Sequence, residues 1–165
     1  MKKQIAIATV AIMLMAVLIA PPVMASVLRD DKTIDVDGKQ LKVVELKLNS
    51  IEDIIGGKEV IHIRHYISGY VNHGEARGDV WYLTEGVRVE ITIDHTPTDA
   101  TGVLLGVWDW DDLSNGEYII DNDQDGHAHF PSSGTYTIPE DGNYYIAVGA
   151  LDGGFSYEGW YDVYW

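Results

Sequence analysis

The sequence predicts an all-β domain, an antiparallel β-sandwich or jelly roll of about eight strands, preceded by a signal peptide. Apolar and polar residues alternate in several short segments, as in strands that bury one face. Turn-forming pairs such as Asp37-Gly38 and Asn115-Gly116 separate these segments at spacings near ten residues. Beyond the leader, no segment longer than a single turn has a helical pattern. Short strands without helices are typical of sandwiches and jelly rolls.

The N-terminus has the layout of a secretory signal peptide. Two lysines precede an apolar run over residues 5–20, which ends at two prolines. We expect cleavage after Ala25, so that residues 1–25 are the leader and residues 26–165 form a single exported domain. The alternative is an uncleaved anchor helix, for which the apolar run is slightly short, since a span needs about 20 residues.

The predicted strands follow one another through the exported domain. The run over 87–94 alternates most strictly, and the apolar run that begins at Val103 predicts a buried strand. In a later strand, Tyr144, Ile146 and Val148 are expected to face the core. In chain order, the strands are expected at residues 42–48, 59–71, 79–83, 87–94, 103–108, 118–120, 135–138, 144–148 and 160–165.

The chain is strongly acidic, with 11 basic and 26 acidic residues and a formal net charge of −15. Loss of the leader removes two lysines and no acid, which leaves nine basic residues and a net charge of −17. Such a surface disfavours nucleic acids and anionic membranes, because both are bound by basic patches. The chain has no cysteine, which excludes disulfide bonds, thiol catalysis and cysteine-ligated metals.

The second half of the chain contains an ordered series of β-type segments. The series opens at Ser68 with SGYVNHGEARGDVWYLTEGVRVEITI, continues with LLGVWDWDDLSNGEYIIDND, and closes with SGTYTIPEDGNYYIAVGA and GWYDVYW. It resembles the pre-peptidase C-terminal domain, a β-sandwich appended to secreted bacterial and archaeal proteases and collagenases. The resemblance covers roughly residues 68–165 and leaves residues 26–67 outside the match. The resemblance implies a β-sandwich fold. Some relatives bind calcium or fibrous substrates such as collagen, so the resemblance also favours these roles here.

Alternating carboxylates form the strongest chemical pattern in the sequence. Asp121, Asp123, Asp125 and Gly126 match the first half of an EF-hand-type loop, in which such oxygens wrap a calcium ion. The twelfth position would be Ser132 rather than a bidentate glutamate, and no helices flank the segment, so it is not an EF-hand. We expect a Ca²⁺ ion at this loop. The alternative is a solvated acidic turn between strands.

A second group of acids precedes this loop. Asp109, Asp111, Asp112 and Glu117 are predicted either to complete the same calcium site or to form another one. Alternation within a strand would place Asp109 and Asp111 on the same side, which favours shared ligation. The alternative is a polar hairpin loop centred on Asn115.

Three further polar residues have alternative interpretations. His127 and His129 lie two apart, so on a strand they face the same way and could hold zinc or copper with a nearby carboxylate. Exposed histidines without a metal are the simpler interpretation. Asp79 is either a metal ligand or, as we expect, a charge at a strand edge.

Five tryptophans and ten tyrosines give the chain a heavy aromatic load. Alternation sends about half of them into the core, whereas aromatic rings on an exposed face can stack against sugar rings. Trp110, Tyr145, Trp160 and Tyr164 are the residues that we expect to be exposed and to bind a ligand.

The sequence favours a secreted, non-enzymatic module with a structural or adhesive role at the cell surface or in the matrix. The segment around Ser156 lacks the glycine spacing of a nucleophile elbow, and acidic pairs are too abundant to single out a catalytic one. Expected partners are an extracellular polymer, a protein or a second copy of the chain. One alternative is a carbohydrate-binding or protease-accessory domain. Another is a filament or tube subunit that inserts residues 26–48 as a strand into a neighbour.

Overall fold

The computed structural model describes residues 32–49 and 62–165, and within these ranges it contains eleven strands. The predicted signal peptide lies outside the described residues. In the described part of the chain, no helix has the length and hydropathy of a membrane span. The strands are β1 (Thr33–Val36), β2 (Lys39–Asn49), β3 (His62–Val71), β4 (Glu75–Leu83), β5 (Arg88–Thr96), β6 (Val103–Asp109), β7 (Gly116–Asp121), β8 (His127–Phe130), β9 (Tyr136–Thr137), β10 (Gly142–Ala150) and β11 (Phe155–Tyr164).

The strands form two sheets, which confirms the all-β sandwich. The first sheet has six strands in the order β1-β2-β4-β10-β6-β7, and the second contains β3-β11-β5-β8 with the short β9 paired to β5. All pairings are antiparallel except that of β2 with β4, which is parallel. The pairing of β2 with β4 departs from the expected antiparallel arrangement, and the structure describes eleven strands where about eight were expected.

The main core lies between the two sheets. In β5 the apolar residues alternate with polar ones, and Val89, Ile91 and Ile93 are fully buried. They pack against residues of the facing sheet, including Tyr144, Ile146 and Val148 of β10. The inward orientation predicted for these three residues is confirmed. Alternating strands bury one face each, and within residues 32–49 and 62–165 no strand covers the opposite face of the second sheet.

A second core lies on the other side of the six-stranded sheet. This sheet curls so that its first hairpin covers its own outer face, where Ile34 and Val36 of β1 join Leu104 and Trp108 of β6. The strands β6 and β10 are therefore buried on both faces. Tyr145 of β10 is completely buried in this second core, so the expectation that it is exposed is wrong. The alternation in β10 correctly predicted which side of the sheet Tyr145 faces, but the first hairpin covers that side as well.

The hairpin that builds the second core depends on a tight turn. Asp37 and Gly38 both adopt positive φ, at 52° and 79°, as the predicted Asp-Gly turn requires. The Asp35 carboxylate accepts a hydrogen bond from the amide of Gly38 at 2.9 Å.

The filament alternative treated residues 26–48 as a donor strand for a neighbour. In the structure, β1 and β2 pair within the chain's own sheet.

Candidate functional site

The two acidic loops lie at opposite ends of the β6–β7 hairpin. In the register of this hairpin, Trp108 pairs with Gly116 at one end and Val103 pairs with Asp121 at the other. Asp121 lies five residues after Gly116 along β7, a length of about 17 Å. The group around Asp109 and the group that starts at Asp121 are therefore separate. The sequence alone left open whether the two groups share one site, and it is the register of the hairpin that separates them.

In the loop that follows β6, the aspartates close local turns. The Asp109 carboxylate accepts from the amide of Asp111 at 2.8 Å. The Asp112 carboxylate accepts from the hydroxyl and the amide of Ser114, at 2.6 and 3.1 Å. The hydroxyl bond and then the amide bond hold the pKa of Asp112 below its usual value. These contacts are the side-chain turns that aspartate makes without any ligand.

The loop that follows β7 opens into a shallow depression. The Asp121 carboxylate accepts from the amide of Asp123 at 2.9 Å, and the Asp125 carboxylate accepts from the amide of His127 at 2.8 Å. Among the residues that the structure describes, no group of three or more His, Asp or Glu side chains lies close enough to hold a metal ion. Calcium binding therefore stays a prediction. The depression, of about 650 Å³, is lined by Ile119, Ile120, Asp121, Asn122, Asp123, Asp125, His127, His129 and Ser132.

The two histidines of β8 face outward together, as their spacing predicts. His127 contacts the Asp94 carboxylate at 2.8 Å, and His129 contacts the Thr92 hydroxyl at 2.9 Å. The carboxylate and the hydroxyl therefore contact different imidazoles. They do not form the hydroxyl–imidazole–carboxylate relay that nucleophilic catalysis uses.

The four aromatic residues predicted to bind a ligand lie in two different places. Trp110 packs at the edge of the second core, 5.5 Å from the ring of Tyr145, and the Lys32 ammonium lies 3.9 Å from its ring centre. The Tyr145 hydroxyl donates to the carbonyl of Ala76 at 2.7 Å. Trp160 and Tyr164 lie instead on the outer face of β11. These two are the predicted residues that the structure places on one open surface.

The outer face of the five-stranded sheet carries two exposed tyrosines that the sequence analysis did not single out. Tyr66 and Tyr70 of β3 are 73% and 50% exposed. Tyr66 lies directly opposite Trp160 on the neighbouring strand, with the ring centres 6.4 Å apart. The alternation of β3 was the available signal, since Tyr66 and Tyr70 share a strand face with the charged Arg64.

A groove runs beside these rings. It has a volume of about 380 Å³. Tyr66 and Trp160 contribute its aromatic walls, and Asp94 and Glu158 contribute two carboxylates from adjacent strands. We call this feature the aromatic groove. Its full lining is Tyr66, Ile67, Ser68, Asp94, Glu158, Gly159 and Trp160.

A charged cluster borders the aromatic groove. The Arg64 guanidinium donates two hydrogen bonds to the buried Asp162 carboxylate, at 2.8 and 2.7 Å, and stacks 4.6 Å from the Trp160 ring centre. His62 contacts the same carboxylate at 2.7 Å. Burial alone would raise the pKa of Asp162, but the hydrogen bonds and charges of Arg64 and His62 outweigh it and lower that pKa. The hydrogen bond with Asp162 in turn raises the pKa of Arg64.

Tyr164 has both of its ring faces occupied. The ring of His62 stacks on it, with the centres 4.5 Å apart, and the Arg88 guanidinium lies 5.2 Å from its centre. Tyr164 therefore offers less free ring surface than Tyr66 or Trp160. The open aromatic surface consists of the aromatic groove and the neighbouring Tyr70.

A second polar cluster is buried inside the sandwich. Asp79 is only 5% exposed, so the prediction of a charge at a strand edge is wrong. The Tyr161 hydroxyl donates to the Asp79 carboxylate at 2.9 Å and accepts from the Trp81 indole at 2.7 Å. His65 approaches the same carboxylate at 3.4 Å. Burial, followed by the charge of Asp79, raises the pKa of Tyr161 far above its usual value, so this hydroxyl stays protonated. The cluster satisfies buried groups and lies in the core between the sheets, not on the open face.

Comparisons with known proteins do not assign the chain to a family. No family model matches it, and no curated protein matches it. Among solved structures, it is similar to the pre-peptidase C-terminal domain of collagenase from Bacillus anthracis, with 16% identity over 75% of this chain and 94% of that chain and a TM-score of 0.42.

Two lysozyme inhibitors are also similar to the chain. PliG from Aeromonas hydrophila, a periplasmic inhibitor of g-type lysozyme, has 12% identity over 74% of this chain and 97% of its own, with a TM-score of 0.39. A mutant of the corresponding Escherichia coli inhibitor has 14% identity over 72% of this chain and 96% of its own, with a TM-score of 0.42. At such identities and TM-scores, these similarities establish neither family nor function.

Proposed function

We propose that this chain is an exported, non-enzymatic binding module that recognises an extracellular polymer or protein through the outer face of its five-stranded sheet. The observation that carries the proposal is the pair of exposed rings, Tyr66 and Tyr70, beside the partly exposed Trp160 on a face that charged residues surround. Aromatic side chains with solvent around them are enriched at recognition surfaces, because they contribute large contact areas with few torsions to immobilise.

The rigidity of the scaffold supports this role. The exposed rings project from β3 and β11, which pair without interruption over ten residue pairs from His62 to Val71. A ligand would therefore meet rings whose backbone is already fixed, which lowers the entropy lost on binding. Export is supported by the predicted leader, residues 1–25.

The test is a binding panel of defined extracellular polymers, comprising a neutral β-glucan, chitin, collagen and an arginine-rich peptide. We expect the unmodified protein to bind at least one member, and the double variant Tyr66→Ala/Trp160→Ala to lose at least tenfold in affinity, since two aromatic contacts contribute more than about 1.4 kcal/mol. The matched control is Tyr82→Ala, which removes a 49% exposed tyrosine from the other sheet. Equal loss in both variants, or binding to no member, would refute the proposal.

Calcium binding by the loop after β7 is a second, separate proposal. It is supported by Asp121, Asp123 and Asp125 lining one depression together with Asn122, which supplies the oxygen ligands that Ca²⁺ prefers. A bound ion would offset the repulsion between these carboxylates and stabilise the fold by RT ln(1 + [Ca²⁺]/Kd). Holding it requires the carboxylates to turn from their present amide partners toward a common centre.

Melting curves in excess Ca²⁺ and in chelator test this second proposal. We expect Ca²⁺ to raise the melting temperature by several degrees, since about 1 kcal/mol shifts it by that amount in a domain of this size. Asp123→Asn should abolish the rise, whereas Asp111→Asn, in the other acidic loop, should leave it unchanged. Identical melting in both media would show that the loop is a solvated turn.

A further inference from the structure

The aromatic groove combines two aromatic rings with two negatively charged groups. Its aromatic walls are Tyr66 and Trp160, and its polar groups include two carboxylates, Asp94 and Glu158, that lie directly opposite each other on adjacent strands. Like charges in such a cross-strand pair repel and destabilise a sheet. His127 contacts Asp94 at 2.8 Å, whereas the Glu158 carboxylate has no hydrogen bond or ion pair within the described residues. Among the residues that the structure describes, the groove therefore has no positive group beside Glu158.

The protein itself shows which positive group fits beside Trp160. On one side of this indole, the Arg64 guanidinium stacks on the ring and donates two hydrogen bonds to Asp162. Asp162 and Glu158 occupy the outer face of β11, two positions after and two positions before Trp160. Glu158 therefore offers a carboxylate acceptor on the groove side of Trp160, as Asp162 does on the Arg64 side.

We propose that the aromatic groove binds the guanidinium group of an arginine side chain in a basic polypeptide. The guanidinium would stack against Trp160 and Tyr66 within the groove and donate hydrogen bonds to Glu158, while the negative charge of Asp94 would strengthen its binding. This inference rests on the proposed function, because it names the ligand of the same open face. The net charge of −15 favours a basic partner and steers it toward the protein.

The groove favours arginine over lysine and over a neutral sugar. A guanidinium is planar, stacks on aromatic rings and matches a carboxylate with two donors, whereas an ammonium is a compact, strongly hydrated charge. A neutral sugar could stack on the rings, but it would leave Glu158 without a counter-charge. An unpaired carboxylate facing a bound neutral ligand would lose water without compensation.

The experiment measures binding of a labelled, end-blocked peptide of three Gly-Arg repeats at physiological salt. The same peptide with citrulline or with lysine in place of arginine tests the charge and the plane separately. Citrulline keeps the planar shape without the charge, so we expect its binding to be lost. Lysine keeps the charge without the plane, so we expect it to bind several-fold more weakly than arginine.

The protein variants are Glu158→Gln and, as the matched control, Glu85→Gln. Both remove one negative charge from an exposed position, but Glu85 lies in the turn before β5, away from the groove. We expect Glu158→Gln to weaken binding of the arginine peptide about tenfold, as for loss of one charge-assisted hydrogen bond. Glu85→Gln should change it less than twofold. Circular dichroism melting curves establish that both variants are folded.

The possible outcomes separate this inference from the proposed function. Equal weakening by both variants would overturn the inference, because it would show only a general attraction to an acidic surface. Absence of arginine-peptide binding, combined with a neutral polymer whose binding Tyr66→Ala/Trp160→Ala abolishes, would overturn the inference and leave the proposed function standing. Absence of binding to every probe would overturn both.

Discussion

Tyr161 places one hydroxyl between two polar groups in the interior. It donates to the Asp79 carboxylate and accepts from the Trp81 indole, and all three residues are 5% exposed or less. Without this hydroxyl, a buried acceptor and a buried donor would each lose a partner. The hydroxyl therefore matters for stability, although it takes no part in the open face.

We predict that Tyr161→Phe lowers the free energy of unfolding by about 1–3 kcal/mol, the usual cost of leaving a buried polar group unsatisfied. Denaturant unfolding curves measure the change. Tyr66→Phe is the matched control, because its hydroxyl is at a 73% exposed residue and its loss should have almost no effect. Equal stability of the two variants would show that the buried cluster contributes nothing.

Asp162 gives stability a definite dependence on pH. Its pKa in the folded protein lies below its usual value, because the bonds from Arg64 and His62 outweigh the effect of burial. In the unfolded chain, an aspartate carboxyl group has a pKa near 4. A depressed folded pKa stabilises the protein above that pH, and the stabilisation is lost as the pH falls through the lower folded value.

We therefore predict that the unmodified protein is more stable than Asp162→Asn at neutral pH and that the difference narrows below about pH 4. Melting temperatures between pH 7 and pH 2 test this. Asp111→Asn, at an exposed carboxylate in the loop after β6, is the control and should parallel the unmodified protein at all pH values. A difference in melting temperature that widens toward acidic pH would contradict a lowered pKa of Asp162 in the folded protein.

At the scale of the elements, the β1–β2 hairpin builds one wall of the second core. It covers an apolar surface formed by β4, β6 and β10, and among its described residues Ile34, Val36 and Leu41 are buried in this second core. In the absence of the hairpin, Trp108 and Tyr145 would be open to solvent. Strands β1 and β2 lie outside residues 68–165, the part of the sequence that resembles the pre-peptidase C-terminal domain. They are nevertheless an integral part of the domain.

We predict that Ile34→Ala costs about 2–5 kcal/mol of unfolding free energy, as expected for a large apolar side chain removed from a packed core. Chemical unfolding of the purified variant measures the loss. Thr33→Ala changes an exposed neighbour on the same strand and should cost far less. If both substitutions had equally small effects, the hairpin would be a loosely attached arm.

The strands themselves were largely predictable, because alternation and Asp-Gly or Asn-Gly pairs are local signals. The strand from Val103 was predicted to be buried, and it is. The pairing of β2 with β4 was not predictable, since nothing local in the sequence specifies a parallel neighbour. Tyr145 shows the consequence: alternation gives the side of the sheet that a residue occupies, but the hairpin that covers this side is a tertiary feature.

The candidate site was predicted only in part for the same reason. Trp160 was expected on an exposed face and lies there, beside the tyrosines of β3. Asp79 was expected at a strand edge, but the neighbouring sheet encloses it. Whether a charged or aromatic residue faces solvent depends on which sheet surface remains uncovered, and a single sequence gives the periodicity without the packing.

The molecule as a whole has two unlike surfaces. The outer side of the six-stranded sheet is closed by the chain's own hairpin. Within residues 32–49 and 62–165, no strand covers the outer side of the five-stranded sheet. This open side carries the aromatic groove, the cluster of Arg64 and Asp162, and the two histidines of β8. In the proposed function, the open side is the recognition face, whereas the closed side contributes to stability.

The most direct test of this account is a titration of the isotopically labelled protein with the arginine peptide, followed by NMR. We predict shifts confined to amides of β3, β11 and β5 and to the indole signal of Trp160. The indole of Trp81, which is buried and bonded to Tyr161, serves as the internal reference and should not move. Shifts centred on the acidic loops or around Tyr82, or an unchanged spectrum at saturating peptide, would contradict the account.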